Sequence, residues 1–241
     1  MTKKVILADT HVFVEKPFTH SLEEALEIEA LVKQHPVQVQ IGHVERFNPV
    51  YQALIQQVQW EDIVSIAFKR HIPLRKKVDV DIILAVMVHD LDLLLHISQQ
   101  LSTSIKTLTA NAVTDRHLLI PPLLDNVCVM STLSNGILAQ LSSNRSGAHH
   151  ERRIQIIEKE RTLNADLLNN EIEILSRQNK NTYAVDRQII KIDQNNALRE
   201  EMQGFIKAIQ SGERPEINEK DGREVMALID TIMKAIRTQR F

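Results

Sequence analysis

Glycine is scarce in this chain: 6 among 241 residues, all at or beyond Gly42 (Gly42, Gly136, Gly147, Gly204, Gly212 and Gly222). No two stand close enough for a G-x-G-x-x-G dinucleotide turn or a Walker-type loop, which need glycines at fixed short spacing so that backbone N–H groups can wrap a phosphate. Cysteine is scarcer still. Cys128 stands alone, which excludes an internal disulfide framework and a cysteine-based structural zinc site. Neither sign of charge is in excess: 29 Lys and Arg against 31 Asp and Glu give a formal net charge of −2, so no overall basic field exists to hold nucleic acid. No apolar run reaches the roughly 18–20 residues of a membrane-spanning helix, and the first residues carry no secretory pattern. The sequence reads as soluble and cytoplasmic, without nucleic-acid or membrane partners. What is present is ordinary globular material, 43% hydrophobic and 25% charged, enough for one large or two smaller domains.

The order of elements is informative. Residues 3–9 read as the end of a helix. Residues 11–14 are a short β-rich run, stopped at Glu15-Lys16-Pro17 because proline removes a donor and turns its predecessor away from helix. Ser21-Leu22-Glu23-Glu24 is a capping-box pattern, and the apolar spacing behind it predicts a helix to about residue 35. Pro36 ends that helix, and Val37, Val39 and Ile41 alternate with glutamines as a strand closing at Gly42. Strand, helix, strand with tight connections is a βα unit of a parallel sheet.

Beyond Asn48-Pro49 the character changes. A helix follows to about residue 58, then a strand over 63–69 and a basic loop around Pro73. Residues 80–97 are strongly apolar but interrupted by His89, Asp90, Asp92 and His96. Strands are predicted over 105–113, 126–132, 137–143, 153–158 and 171–175, joined by turn material, with helices over 196–209 and from about 220 to 237. The fold class is α/β (α+β): a βα remnant over 1–45, then a largely antiparallel sheet domain over 46–241 with helices on one face.

Four segments in register carry a resemblance. His11-Val12-Phe13-Val14-Glu15-Lys16-Pro17, the strand exit Gly42-His43-Val44-Glu45-Arg46-Phe47-Asn48-Pro49, the helix Val88-His89-Asp90-Leu91-Asp92, and the closing stretch from Leu198 through Phe205, Gly212 and Pro215 to Asp221-Gly222 resemble the glucose–fructose oxidoreductase/inositol dehydrogenase/MocA (Gfo/Idh/MocA) family. The resemblance implies a member that starts just before its E-K-P segment and lacks most of the Rossmann domain, the pyrophosphate turn included. It implies an oxidoreductase using NAD or NADP on a sugar or nucleotide-linked amino sugar, and a homo-oligomer built through the sheet of the second domain.

On that resemblance, Lys16 and His89 handle the proton that leaves a substrate hydroxyl as hydride departs. Glu15, Lys16, Pro17 and Arg46 lie by the cofactor, and Lys16, Arg75, His89, Arg145 and Arg152 bind substrate. Arg70, Lys76 and Lys77 extend the basic set; converging guanidinium groups would suit a diphosphate or an acidic sugar. Each residue also has a plainer reading: Lys16 as a solvated loop lysine, His89 as a hydrogen-bonded core histidine, the arginines as surface charge, Asn48-Pro49 as a helix start. One departure stands out. The family's helix carries an acid four residues before the histidine, and here that position is Ala85, which would leave His89 a weaker base. Asp81, a turn further back, is a poorer substitute. His89, Asp92 and His96 share a helix face, yet the surrounding leucines favour a packed helix over a metal site. Asp90 and Asp92 read as backbone caps, and His149-His150-Glu151 as a solvated turn.

Two classes of function follow: a sugar dehydrogenase, or a non-catalytic scaffold that retains the sheet. A parallel sheet cut at its centre also implies that Val12, Val14, Val39 and Ile41 lack cover on one side, making the first 45 or so residues the least stable part unless another subunit protects them.

Overall fold

The computed structural model describes residues 1–73, 80–114, 123–178 and 184–238. A short helix α1 (Thr2–Ile6) precedes strand β1 (Val12–Glu15), helix α2 (Leu22–Val32) and strand β2 (Val39–Gly42). β1 and β2 pair in parallel, Val12 opposite Val39 through Glu15 opposite Gly42. Ser21 caps α2, its hydroxyl accepting from the Glu24 N–H at 3.3 Å, while the Glu24 carboxylate reaches back to the His20 N–H at 3.1 Å. The reciprocal bond lands one residue earlier than in the standard capping box.

Helix α3 (Pro49–Gln57) starts at Asn48, whose side chain accepts from the Val50 N–H at 2.9 Å. Strand β3 (Ile63–His71) and helix α4 (Val88–Gln100) come next, α4 preceded by a π turn over Ile83–Met87. The chain then runs through β4 (Ile105–Val113), β5 (Asn126–Leu133), β6 (Leu138–Asn144), β7 (Glu151–Glu158), β8 (Arg161–Asp166), β9 (Glu171–Arg177) and β10 (Val185–Lys191), and closes with α5 (Ala197–Ser211) and α6 (Glu219–Thr238). These strands and β3 form one eight-stranded sheet in the order β10-β9-β8-β7-β3-β6-β5-β4. All neighbours are antiparallel except β3 and β6.

Alternation decides the two faces of that sheet. Ile66, Phe68, Val127, Val129, Leu141, Ile154 and Ile156 point inward and are buried, whereas Met130, Leu138 and Ile157 on the other face are exposed. Two strands escaped the sequence reading. β8 offers only Leu163 and Ala165 to the core among its six residues, and β10 is an edge strand exposed along most of its length. Residues 70–71, expected in a loop, continue β3. Glu151, expected in a solvated turn, is 8% exposed at the start of β7 and pairs with Lys69 at 2.9 Å.

The anticipated bareness of the first 45 residues is corrected by the C-terminal helices. Val39 and Ile41 are buried, and Val12 and Val14 pack against the same core. α6 lies on this side of the β1–β2 pair, packed against both α2 and β2, while α5 covers the opposite side, its Phe205 ring meeting Phe13 edge-on at 6.0 Å. The Ile41 N–H donates to the Ile217 carbonyl at 3.0 Å, so β2 is bridged on its outer edge by the approach to α6. Gly222 permits this fit: a Cβ there would lie 2.7 Å from a Phe18 ring carbon and 3.0 Å from Ile41. Gly222→Val is therefore expected to destabilise the chain by about 1–3 kcal/mol through overpacking. A urea midpoint equal to that of the parent would show that α6 can lift away at no cost.

Candidate active site

Five elements contribute to a site at the carboxyl ends of β1 and β2. β1 delivers Glu15 and Lys16, the latter joined to Pro17 by a cis peptide. β2 delivers His43 and a tight 3-10 turn, Val44–Phe47, carrying Glu45 and Arg46. α4 contributes His89, Asp90 and Asp92, with Ala85 in the π turn before it. Arg70 of β3 and Arg152 of β7 close the group from the sheet.

Most of the charge here is locked into two buried ion networks. Arg46 donates from Nε and Nη2 to Asp92 at 2.9 and 2.6 Å, and from Nη2 to Asp221 at 3.2 Å. Arg70 donates from Nε to Asp90 at 2.9 Å and from Nη1 to Glu45 at 2.8 Å, and Arg152 approaches the same Glu45 oxygen at 3.5 Å. A buried charge must be paired, since taking it out of water unpaired costs several kcal/mol. Asp90 and Asp92 are thus ion-pair partners, correcting the expectation that they cap backbone.

Between the networks sit three nitrogen-bearing groups. Lys16 donates to the Ala85 carbonyl at 2.7 Å. Burial, then the neighbouring Arg70 and Arg152 charges, lower its pKa, against the pull of Glu15 and Glu45. His43 is 1% exposed, and neither ring nitrogen has a hydrogen-bond partner among the described residues; Nε2 lies 4.0 Å from Asp92. His89 is half-buried, with its Nδ1 buried and unpartnered. Burial first, with nearby cations, depresses both imidazoles, that of His89 well below its ordinary value. The result is a lysine beside two neutral imidazoles, arranged to accept or pass a proton rather than to hold one.

Several expected site residues are placed otherwise. Arg46 is 3% exposed and its guanidinium is committed to Asp92 and Asp221, which fits positioning of the His43 turn better than direct contact with a cofactor. Arg145 is also 3% exposed, donating to Asp125, the Val80 carbonyl and the Leu124 carbonyl, each at 2.8 Å. It pins the end of β6 to two neighbouring segments and does not converge with the other arginines. Arg70 likewise lies in a strand with its donors engaged. Arg75, with Lys76 and Lys77, lies outside the described residues. Glu15 is exposed beside Lys16, and Arg152 is half-exposed. Asp81 accepts from the Leu124 N–H at 2.6 Å. The shared helix face of His89, Asp92 and His96 is divided, Asp92 bound by Arg46 and His96 by the Tyr51 hydroxyl at 2.6 Å. Among the described residues no group of His, Cys, Asp or Glu is placed to hold a metal ion.

The sequence reading missed His43, Glu45, Asp221 and Glu201 as members of this region. A signal existed for Asp90 and Asp92, since carboxylates inside a leucine-rich helix need buried partners. Nothing local marks Asp221 or Glu201, which arrive from the far end of the chain.

No helix among the described residues is long and apolar enough to cross a membrane. The profile of an oxidoreductase family with an NAD-binding Rossmann fold matches residues 1–43. The chain is 28% identical over 224 residues to UDP-N-acetylglucosamine 3-dehydrogenase of Acidithiobacillus ferrooxidans, covering 91% of this chain and 69% of that protein. A solved structure of that dehydrogenase superposes with a TM-score of 0.86 over 98% of this chain and 74% of its own, at 26% identity. Levoglucosan dehydrogenase in complex with NADH and levoglucosan shares the fold, with a TM-score of 0.81 at 14% identity over 99% of this chain and 75% of its own. With a Rossmann-family match over residues 1–43 and the same fold over nearly its whole length, the chain resembles the Gfo/Idh/MocA oxidoreductases.

Proposed function

We propose that this chain handles the substrate of an NAD(P)-dependent dehydrogenase that oxidises a nucleotide-linked amino sugar of the UDP-N-acetylglucosamine class. The observation that carries the reading is the placement of Lys16, held on the Ala85 carbonyl, in electrostatic reach of His89 and His43 at the ends of β1 and β2, where burial lowers the pKa of all three. The similarity to a UDP-N-acetylglucosamine 3-dehydrogenase supports the substrate class. In this reading residues 1–45 belong to the nucleotide side and 46–241 to the substrate side.

The residues present fit one end of a nicotinamide cofactor. The unpartnered imidazole nitrogens and Lys16 suit a ring carrying a carboxamide and a nearby hydroxyl, whereas the sequence has no glycine turn for the pyrophosphate. A bound nicotinamide would supply the hydride acceptor. Lys16 and His89 would orient the sugar hydroxyl and take its proton, and half-exposed Arg152, within electrostatic reach of Lys16, would attract an anionic part of the substrate. The exposed apolar residues Met130, Leu138 and Ile157 on the open sheet face support a homo-oligomer formed there, in a cytoplasmic setting.

The test joins the glycine-turn segment of the Acidithiobacillus enzyme ahead of this chain and follows NAD(P) reduction with UDP-N-acetylglucosamine. The 241 residues alone should show no NADH or NADPH binding by calorimetry. The joined protein should turn over, and Lys16→Met should lower that turnover by about 10²–10⁴-fold, the usual contribution of a proton-transfer group. A joined protein that binds cofactor yet oxidises no sugar nucleotide would sink the proposal and leave the scaffold reading in its place.

A further inference from the structure

Lys16 is held by a main-chain oxygen, not by an acidic side chain. The acid implied at position 85 is absent, yet the same residue meets the lysine through its main-chain oxygen, 2.7 Å from Nζ. Ala85 is the middle residue of the π turn Ile83–Met87, just ahead of His89. A π turn widens the helix by a residue and shifts its carbonyls off the regular i→i−4 line, and such turns recur at functional sites.

We propose, resting on the dehydrogenase reading above, that the Ala85 carbonyl is the positioning group for Lys16, and that it substitutes a dipole for an ionic partner so that the lysine can act as the proton acceptor. A carboxylate in contact with an ammonium favours the charged form strongly in a partly buried site. A carbonyl fixes the direction of the amine through one hydrogen bond and adds no net charge.

The other groups facing Lys16 agree. Arg70 from β3 and Arg152 from β7 oppose its protonation; Glu15 beside it and Glu45 from the 3-10 turn favour it, but Glu45 is already shared between those two arginines. His43 and His89 stand neutral next to it. In the step this permits, the substrate O–H bond breaks and its proton passes to the Lys16 lone pair, forming an ammonium. A bound nicotinamide would take up the C–H electron pair as hydride, which would leave a carbonyl where the carbinol had been. Lys16 would then be the base and His89 an orienting neighbour, which removes the difficulty posed by an acid-less His89.

The test needs neither cofactor nor substrate. Lysines and alanine carbonyls are labelled with ¹³C in the chain as it stands, and Lys16 is assigned by Lys16→Met. The Lys16 Cε resonance should titrate below the exposed lysines. The Ala85 carbonyl shift should step at the same midpoint and lose that step in Lys16→Met. Ala85→Asp should raise the Lys16 midpoint by one unit or more, a tenfold gain in proton affinity. Lys16 titrating with the other lysines, an Ala85 carbonyl indifferent to Lys16, or an unmoved midpoint in Ala85→Asp would each overturn the proposal. Should Ala85→Asp fail to fold, the carbonyl titration of the parent chain decides alone. An intact Lys16–Ala85 titration in a protein that oxidises no sugar would count against the dehydrogenase reading and not against this contact.

Discussion

Replacing Asp92 with alanine is expected to lower the free energy of unfolding by about 3–5 kcal/mol, the usual cost of removing one partner from a buried ion pair. Asp92 is fully buried and receives three of the hydrogen bonds that Arg46 makes. Without it the guanidinium keeps, among the described residues, only Asp221, which sits at the start of α6 and serves the Asn218 N–H as well. The loss should appear as a lower urea midpoint with little change in slope. The double replacement Arg46→Met, Asp92→Leu should recover part of it, because an apolar pair needs no desolvation of charge. A single-variant loss below about 1 kcal/mol would mean that water reaches Arg46 and that the network does not tie α4 to the His43 turn.

Glu201 should give the second large effect, and of opposite sign. Its side chain is fully buried on α5 and neither carboxylate oxygen has a partner among the described residues, although its main-chain carbonyl accepts from Gln40 at 3.1 Å. Burial first, then the charges of Glu15 and Asp92, push its pKa up to about 8 from an ordinary 4.5. The linkage follows from proton counts. Between those two values the folded chain retains a proton that the unfolded chain has released, so stability falls as pH rises across that window, by up to about 1.4 kcal/mol per pH unit. Below the lower value the effect is absent, and above the upper one the full penalty is present. Glu201→Met should abolish this contribution and stabilise the chain more near pH 8 than near pH 5, where the buried carboxyl is largely protonated in the folded chain. Urea melts of the two chains that run parallel from acid to alkaline pH would refute the assignment.

Much of the fold was legible because its signals are local. Ser21 with Glu24, Asn48 with Pro49, and the alternation of Val39 and Ile41 mark element starts by backbone chemistry that needs no distant partner. β8 and β10 were not, since a six-residue strand with two core residues and an exposed edge strand carry little periodic pattern. For the candidate site, the motif around Lys16 and the helix around His89 are two segments that the structure brings within electrostatic reach of each other. The arginines misled because sequence reports charge and not where its partner lies: Arg46, Arg70 and Arg145 look alike from composition, and each is consumed by a carboxylate or carbonyl from another segment. The Lys16–Ala85 contact was invisible for a different reason. It uses a main-chain oxygen, and only the path of the helix decides whether that oxygen faces inward.

The placement of β3 bears on how the chain is made. This strand lies at the centre of the eight-stranded sheet, yet its two neighbours, β6 in parallel and β7 antiparallel, come from the second half of the chain. During synthesis at about 5–20 residues per second, the apolar run Ile63-Val64-Ser65-Ile66-Ala67-Phe68 emerges seconds before either partner exists. It cannot shelter in a local hairpin, so the nascent chain carries an unpaired central strand until the β6–β7 region is complete, and that interval is when this protein is most exposed to aggregation or to capture by a chaperone.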